Sequence, residues 1–415
     1  MLHVNDRTKQ QNFFLILMLG ALNTITPFSI DMYLPAFPKI ASDLHTTIQN
    51  TALSVSTYFL GFAIGQILYG PLLDRFGRKK PLYTGLILYI IATIICTVPG
   101  TIHALLILRF LQALTGCVAS VAAMAMVRDF FPPDKSASVL SLLILILGAS
   151  PMLAPTAGSF VMMAFGWRYI FVLLALVAFV ILIFVFFFLP EAQPPDTSVS
   201  LKPKPILKSF TSILLLPQFY VFTLAGTFSF SGLFVYVAGS PAIFMDGFHV
   251  SAKVYGGIFA LLSVGFVGSS QMNHLLTRKY KSEEILRVTS IIQTTASLLF
   301  FIGVMNAWYG LTANIIFIFI ILSCAGLTYP NAAAIALAPF EKNAGSASAL
   351  LGFIQIGIGG LISSSVGFMH AKGSLPASVM MAITSAIGLI ILMRGRNVVV
   401  ENMHTVSELK TVPHH

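Results

Sequence analysis

Charge is what this chain has least of. Only 9% of its residues are charged, against about 25% in an average soluble domain. That is too little polar surface to keep 415 residues in water, and a soluble globular enzyme is excluded on that ground. Acids are scarcer than bases, 14 Asp and Glu against 24 Lys and Arg. Cysteine is nearly missing: Cys96, Cys117 and Cys324 each sit in an apolar run and have no spacing for a disulfide framework or a metal site. The dipeptide Gly-Lys does not occur, which removes the phosphate-cradling loop of an ATP-driven machine.

What is present is apolar. Hydrophobic residues make up 57% of the chain, 35 of them phenylalanine, and the mean hydropathy is +0.89. Twelve runs approach the roughly 20 residues that a helix needs to cross hydrocarbon. They are Phe13–Leu34, Thr51–Leu73, Leu82–Val98, Ala104–Val127, Ala137–Met162, Trp167–Leu189, Phe219–Gly239, Tyr255–Leu276, Ile285–Val304, Trp308–Ala333, Ala347–Phe368 and Leu375–Met393. The period-2 alternation of a membrane barrel is absent, so the spans are expected to be helices. The first run is too long for a signal peptide, contains Asp31 and has no small-residue cleavage pattern, so it reads as a retained span.

The basic residues are scattered singly between the runs, which argues against a nucleic-acid surface. With the N-terminus in the cytoplasm, nineteen of them fall on the inner side and four, Lys39, Arg168, Lys253 and Lys372, on the outer. This positive-inside bias predicts both termini in the cytoplasm. A charged, Pro-rich interruption follows the sixth run, EAQPPDTSVSLKPKP. LLDRFGRKKPL (72–82) is echoed by LLTRKYKSEEIL (275–286), and KSAS (135–138) by GSAS (345–348). The expected fold is therefore an all-α integral membrane protein of twelve transmembrane helices in two pseudo-symmetric six-helix bundles. Residues 1–190 form the first bundle, 191–217 a cytoplasmic linker, 218–396 the second bundle and 397–415 a cytoplasmic tail.

Three features carry chemistry. In GPLLDRFGRKKPL, Gly70 and Gly77 are expected to allow close approach and a tight turn. Asp74 stands there among Arg75, Arg78, Lys79 and Lys80, where an acid at a helix end can make a charge latch in one conformation and lose it in another. In the fifth run Gly148, Pro151, Pro155 and Gly158 fall on one stripe of a helix, a surface for close approach with prolines to bend it. Thirteen of the acids lie in loops, tails or span ends, so Asp31 is the single embedded acid and Arg109 the single embedded base. Ionisable groups are costly in hydrocarbon. At 1.5 Å per residue, Asp31 lies about 10 Å and Arg109 about 9 Å inside the outer surface, so they are expected to pair. A carboxyl balanced between burial and a cation can bind a proton in one conformation and release it in another.

Neutral polar and aromatic residues within the runs either line a substrate cavity or tie helices together. Asn23, Gln112, Phe228, Tyr236, Asn331 and Gln355 are the candidates for the cavity.

The loop at 70–82 resembles the signature of the major facilitator superfamily, G-x-L-x-D-R-x-G-R-K/R. LRFLQALTG (108–116) and GASPMLAPTAG (148–158) agree with it. SIDMYLPAFPKIASDL (29–44), GFAIGQILYGPLLDRFGR (61–78), MVRDFF (126–131) and GLTYPNAAAIALAPFEKNAGSASALLG (326–352) are more narrowly similar to the bicyclomycin-resistance (Bcr/CflA) drug-efflux subfamily. The resemblance implies a proton-coupled exporter of small drugs or metabolites, with the fifth-run motif typical of antiporters. The expected protein is thus a substrate:H⁺ antiporter of the cell inner membrane, with no catalytic residue, metal or cofactor. The proton gradient drives it, its partners are a small molecule, protons and the lipid bilayer, and it works as a monomer. An uptake symporter of the same fold is the alternative, followed by a membrane enzyme or structural protein.

Overall fold

A computed structural model describes residues 9–131, 133–190, 195–196, 210–340, 344–369 and 373–411. Most of the 191–217 linker, the tail beyond 411, and Arg7, Lys202, Lys204, Lys208, Lys342 and Lys372 of the charge count lie outside them. No strand occurs among the described residues.

Among the described residues, twelve long helices follow one another. They are α1 (Lys9–Asp31), α2 (Ile48–Phe76), α3 (Lys79–Ile95), α4 (Ile102–Phe130), α5 (Pro133–Phe165), α6 (Arg168–Phe188), α7 (Pro217–Pro241), α8 (Ala252–Leu276), α9 (Ser282–Met305), α10 (Leu311–Leu337), α11 (Ala344–Phe368) and α12 (Leu375–Thr411). Ten of them contain a stretch long and apolar enough to cross a membrane; α3, at 17 residues, and α5 are the other two. Side-chain oxygens start three of the helices: Thr47, Thr101 and Ser251 accept from the backbone N–H groups of Asn50, Ala104 and Val254.

The first run does not continue as one helix to Leu34. α1 stops at Asp31, and the chain passes through a single 3₁₀ turn (Leu34–Ala36) into a two-turn helix (Phe37–Asp43). Pro35 and Pro38 lack the N–H donors an unbroken helix would use there. The short helix is clamped at its far end. Asp43 accepts from Lys39 (2.9 Å), Trp167 Nε1 (2.9 Å) and Arg168 (3.3 Å), and Arg168 lies over the Trp167 ring.

Helices α1–α6 pack mainly on one another, as do α7–α12. The two groups meet where α2 lies along α11 and α5 along α8. Large apolar side chains on α3, α6 and α9 face outward, among them Ile87, Ile91, Leu176, Phe184, Ile292 and Leu299. So large an exposed apolar belt belongs in lipid.

The core has a distinctive distribution. At the end away from Asp74 it is one cluster drawn from both groups, including Tyr33, Phe37 and Phe171 with Tyr236, Tyr255 and Phe259. At the Asp74 end it divides into two. One cluster belongs to the first group, around Leu22, Leu86 and Met126, and the other to the second, around Phe219, Leu286 and Leu351. Hydrogen bonds follow the same distribution. Gln49 donates to Asp246 (3.4 Å), Ser56 bonds Ser363 (2.8 Å) and Ser159 donates to the Ala252 carbonyl (3.0 Å), all toward the end with the shared core. The molecule is closed at that end.

The α5 stripe serves two neighbours. A Cβ at Gly148 would lie 3.0 Å from Val267 of α8, whereas one at Gly158 would lie 1.7 Å from the Met32 carbonyl oxygen just past the α1 break. Pro151 and Pro155 remain inside a continuous helix. Gly158→Ala should therefore push α5 off the break and destabilise the protein by about 1–3 kcal/mol. Gly148→Ala, which meets only a side chain able to shift, should cost less. Thermal unfolding of the two purified variants separates these outcomes, and equal losses would contradict the account.

A candidate transport site between the two halves

A helix ends with carbonyls that have no intrahelical donor. Where α1 stops, Arg109 of α4 supplies one: its Nη2 donates to the Ser29 carbonyl at 2.8 Å. A cation at a helix C-terminus also meets the negative end of the helix dipole. The other terminal nitrogen donates to Gln112 Oε1, one turn away, and Gln112 Nε2 donates to Thr93 of α3 at 2.9 Å. The guanidinium lies between the rings of Tyr33 and Tyr58, 4.3 Å from each centroid, with Phe171 at 5.8 Å. Arg109 is completely buried.

The expected Asp31–Arg109 pair is therefore not formed. Arg109 is held by the broken end of α1 and by aromatic faces. Asp31, the last residue of α1, points elsewhere, and no hydrogen bond or ion pair reaches its carboxyl group among the described residues. Its side chain is 4% exposed and lies within electrostatic reach of Tyr236 of α7 and Tyr255 of α8, both in the second half. Similar depth was a correct reason to expect the two charges on one level. Depth says nothing about which way each side chain turns about its helix.

Below Asp31, aromatic rings join the halves. Phe59 of α2 meets Phe234 of α7 edge-on at 4.6 Å, and Phe230 contacts Phe234, Phe266 of α8 and Tyr329 of α10. Gln355 of α11 lies within electrostatic reach of Tyr329. Of the polar candidates, Asn23 donates to the Leu143 carbonyl of α5 (3.4 Å) and Asn331 to Asn273 of α8 (2.6 Å). These bonds, with that of Gln112 to Thr93, tie Asn23, Gln112 and Asn331 to neighbouring helices. Phe228 sits where α7 meets α12 at Gly388. Sequence reasoning missed Tyr33, Tyr58, Phe59 and Tyr255. Aromatic residues are common in membrane helices, and their spacing along the chain does not distinguish a ring over a guanidinium from one in lipid.

At the opposite end, Gly77 turns the chain with φ 78°, a conformation that favours glycine. Gly70 lies inside α2, and among the described residues nothing lies within 4 Å of where a Cβ would be, so no close approach is seen there. Arg78 begins α3 and bridges two acids: Nη1 to Asp74 at 2.5 Å and Nε to Asp129, near the end of α4, at 2.8 Å. Burial opposes the charge of Arg78, but the two carboxylates outweigh it and hold its pKa above the usual guanidinium value. Asp74 also touches the linker, its carbonyl accepting from the Asp196 N–H at 3.2 Å. Arg75 makes interactions of its own. Asp129, one of the thirteen acids in loops, tails or span ends, follows Arg128 near the end of α4.

Two groups of helices, closed at one end around a buried carboxyl and sheathed in apolar side chains, define a membrane transporter, not an enzyme. The description of the Major Facilitator Superfamily matches residues 19–364, and the chain belongs to that family. It is 30% identical over 391 residues to the uncharacterized MFS-type transporter YdgK of Bacillus subtilis (strain 168), covering 94% of this chain and 96% of that one. It is 28% identical over 376 residues to a bicyclomycin resistance protein homolog of Haemophilus influenzae, covering 89% and 92%. It is 30% identical over 340 residues to the multidrug resistance protein MdtL of Escherichia coli, covering 81% and 84%. Among solved structures, a D-xylose-proton symporter superposes with a TM-score of 0.72 at 13% identity, over 91% of this chain and 97% of that one. A bacterial homolog of the human lysosomal transporter Spinster, inward-facing and occupied, gives 0.67 at 14% identity over 95% and 98%. At those identities the likeness is one of fold.

The latch geometry carries its own prediction. The Asp74 side chain is 53% exposed and that of Asp129 15%, while both bond the nearly buried Arg78. Asp74→Ala should cost less than about 1 kcal/mol, as exposed pairs do. Asp129→Ala should cost about 1–3 kcal/mol, because it removes a partner from a buried cation. Chemical or thermal unfolding in detergent measures both, and the reverse ranking would refute the assignment.

Proposed function

We propose that the protein is a proton-coupled exporter of small drugs or metabolites, a substrate:H⁺ antiporter of the bacterial inner membrane. All twelve long helices serve as spans, in two halves (1–190 and 218–396) joined by a cytoplasmic linker. Both termini are cytoplasmic, and the Asp74 end, with its basic residues, faces the cytoplasm. The structure is then in a state sealed from outside. The observation that carries the reading is the buried Asp31 carboxyl without a partner, placed where the two halves meet. A group in that position is exposed to one side or the other as the halves rock.

Asp31 takes a proton from outside and gives it up inside, and substrate leaves in exchange. One proton crossing about 100 mV supplies about 2.3 kcal/mol, enough for roughly a fiftyfold gradient of a neutral substrate. Asp74, Arg78 and Asp129 brace the cytoplasmic end of the first half, and the Asp74 carbonyl ties that loop to the linker. The Phe230, Phe234 and Tyr329 rings, together with Phe59, form the floor on which substrate rests. The names of the relatives favour export over uptake. Likeness to the xylose symporter, at 13% identity, bears on the fold alone.

The test uses bicyclomycin, the compound in one relative's name, as the probe. Everted vesicles containing the wild-type protein should accumulate it under an imposed pH gradient, and Asp31→Asn should reduce the initial rate at least tenfold with normal protein levels. Gradient-driven accumulation in the Asn variant would overturn the role of Asp31. Accumulation in right-side-out vesicles alone would establish the uptake alternative.

A further inference from the structure

Two buried polar groups near the closed end lack what each could give the other. The Tyr236 hydroxyl is buried and has no hydrogen-bond partner. Its ring packs on Phe259 of α8 at 5.2 Å, which leaves the residue 1% exposed. A buried hydroxyl without a partner costs about 1–3 kcal/mol, and each such group in a native protein calls for a reason. Other buried hydroxyls share the condition, that of Tyr58 among them. Tyr236 differs in having an ionisable acid within electrostatic reach from the other half of the molecule, Asp31, which is itself buried and takes part in no hydrogen bond or ion pair among the described residues.

The groups around Asp31 can be told apart. Tyr255 also lies within its electrostatic reach, but the Tyr255 hydroxyl is engaged with Ser240 at 2.8 Å. Tyr33 bonds Ser54 at 2.7 Å, and Arg109 gives its two terminal nitrogens to the Ser29 carbonyl and Gln112, its Nε having no partner among the described residues. Among these only Tyr236 has an uncommitted O–H. A phenol is a strong donor to a carboxylate and a much weaker partner for a protonated carboxyl group, because charge-assisted hydrogen bonds are about twice as strong as neutral ones.

We propose that Tyr236 is a positioning residue that reads the charge of Asp31: its phenol donates to the carboxylate once the proton has left, tying α1 to α7 across the two halves, and lets go when the carboxyl is protonated. The phenol keeps its proton throughout. This rests on the reading of Asp31 as the proton site and adds how its charge reaches the second half. The loss of a proton tightens a link between the halves at the closed end, and its uptake loosens that link.

Infrared titration of the full-length protein in lipid nanodiscs, without substrate, tests this. The C=O band of a protonated carboxyl group is followed against pH, and the Asp31 band is identified by its loss in Asp31→Asn. In Tyr236→Phe the pH midpoint of that band should move up by about one unit, a tenfold change, since a donor to the charged form is gone. Tyr255→Phe should move it by less than a third as much. Thermal stability of Tyr236→Phe should equal or exceed that of wild type, because the hydroxyl removed is buried and has no partner in this state. A large loss of stability would overturn the proposal by showing that the hydroxyl is structurally engaged. An unchanged midpoint in Tyr236→Phe, or an equal shift in Tyr255→Phe, would overturn it while leaving Asp31 as the proton site. If Asp31→Asn removes no titrating band, the reading of Asp31 falls, and the role of Tyr236 with it.

Discussion

The end of α1 has to be satisfied inside the membrane, and much of the closed end follows from how that is done. Hydrocarbon offers no water to unpaired carbonyls, so a helix that stops within a span needs a donor from the protein. Arg109 provides it at the Ser29 carbonyl, and the faces of Tyr33 and Tyr58 shield the charge. The break lets Asp31 leave the helix axis toward the second half, and it brings the Met32 carbonyl against Gly158 of α5, where no side chain fits. The broken end of α1 is thus where the buried cation, the acid and α5 come together. Placing Arg109 against a carbonyl also leaves Asp31 without a counter-charge among the described residues.

The two ends of the molecule are built differently. At the closed end a single apolar cluster spans both halves, reinforced by Gln49–Asp246, Ser56–Ser363 and Ser159–Ala252. At the other end each half keeps its own cluster. A core shared between halves must be separated for that end to open, whereas cores confined to each half can move as rigid bodies. The Asp74–Arg78–Asp129 bridge lies wholly within the first half, so it braces a rigid body and does not clasp the two halves together. The linker contact at the Asp74 carbonyl is the place where that brace meets the chain leading to the second half.

The sequence by itself determined the class of fold and the level of the charges. Twelve apolar runs too poor in charge for water, and without the period-2 alternation of a barrel, leave helices in a bilayer as the arrangement that satisfies the backbone. The GPLLDRFGRKKPL loop was legible because turn glycine, acid and bases sit close in the chain, and Gly77 does make that turn. Asp31 and Arg109 stood out because an ionisable residue in an apolar run is conspicuous without any knowledge of its neighbours. What only the tertiary structure decided is where each group points and what it meets. The α1 break, the turning of Asp31 toward Tyr236 and Tyr255, the capping of Ser29 by Arg109 and the pairing of Arg78 with Asp129 all join residues from different helices. Asn23, Gln112 and Asn331 look alike in sequence whatever they face, and only the structure shows that each bonds a neighbouring helix. A membrane helix that is apolar all round carries no periodic signal of which face is inside. Its rotation about its own axis is set by packing against neighbours distant in the chain.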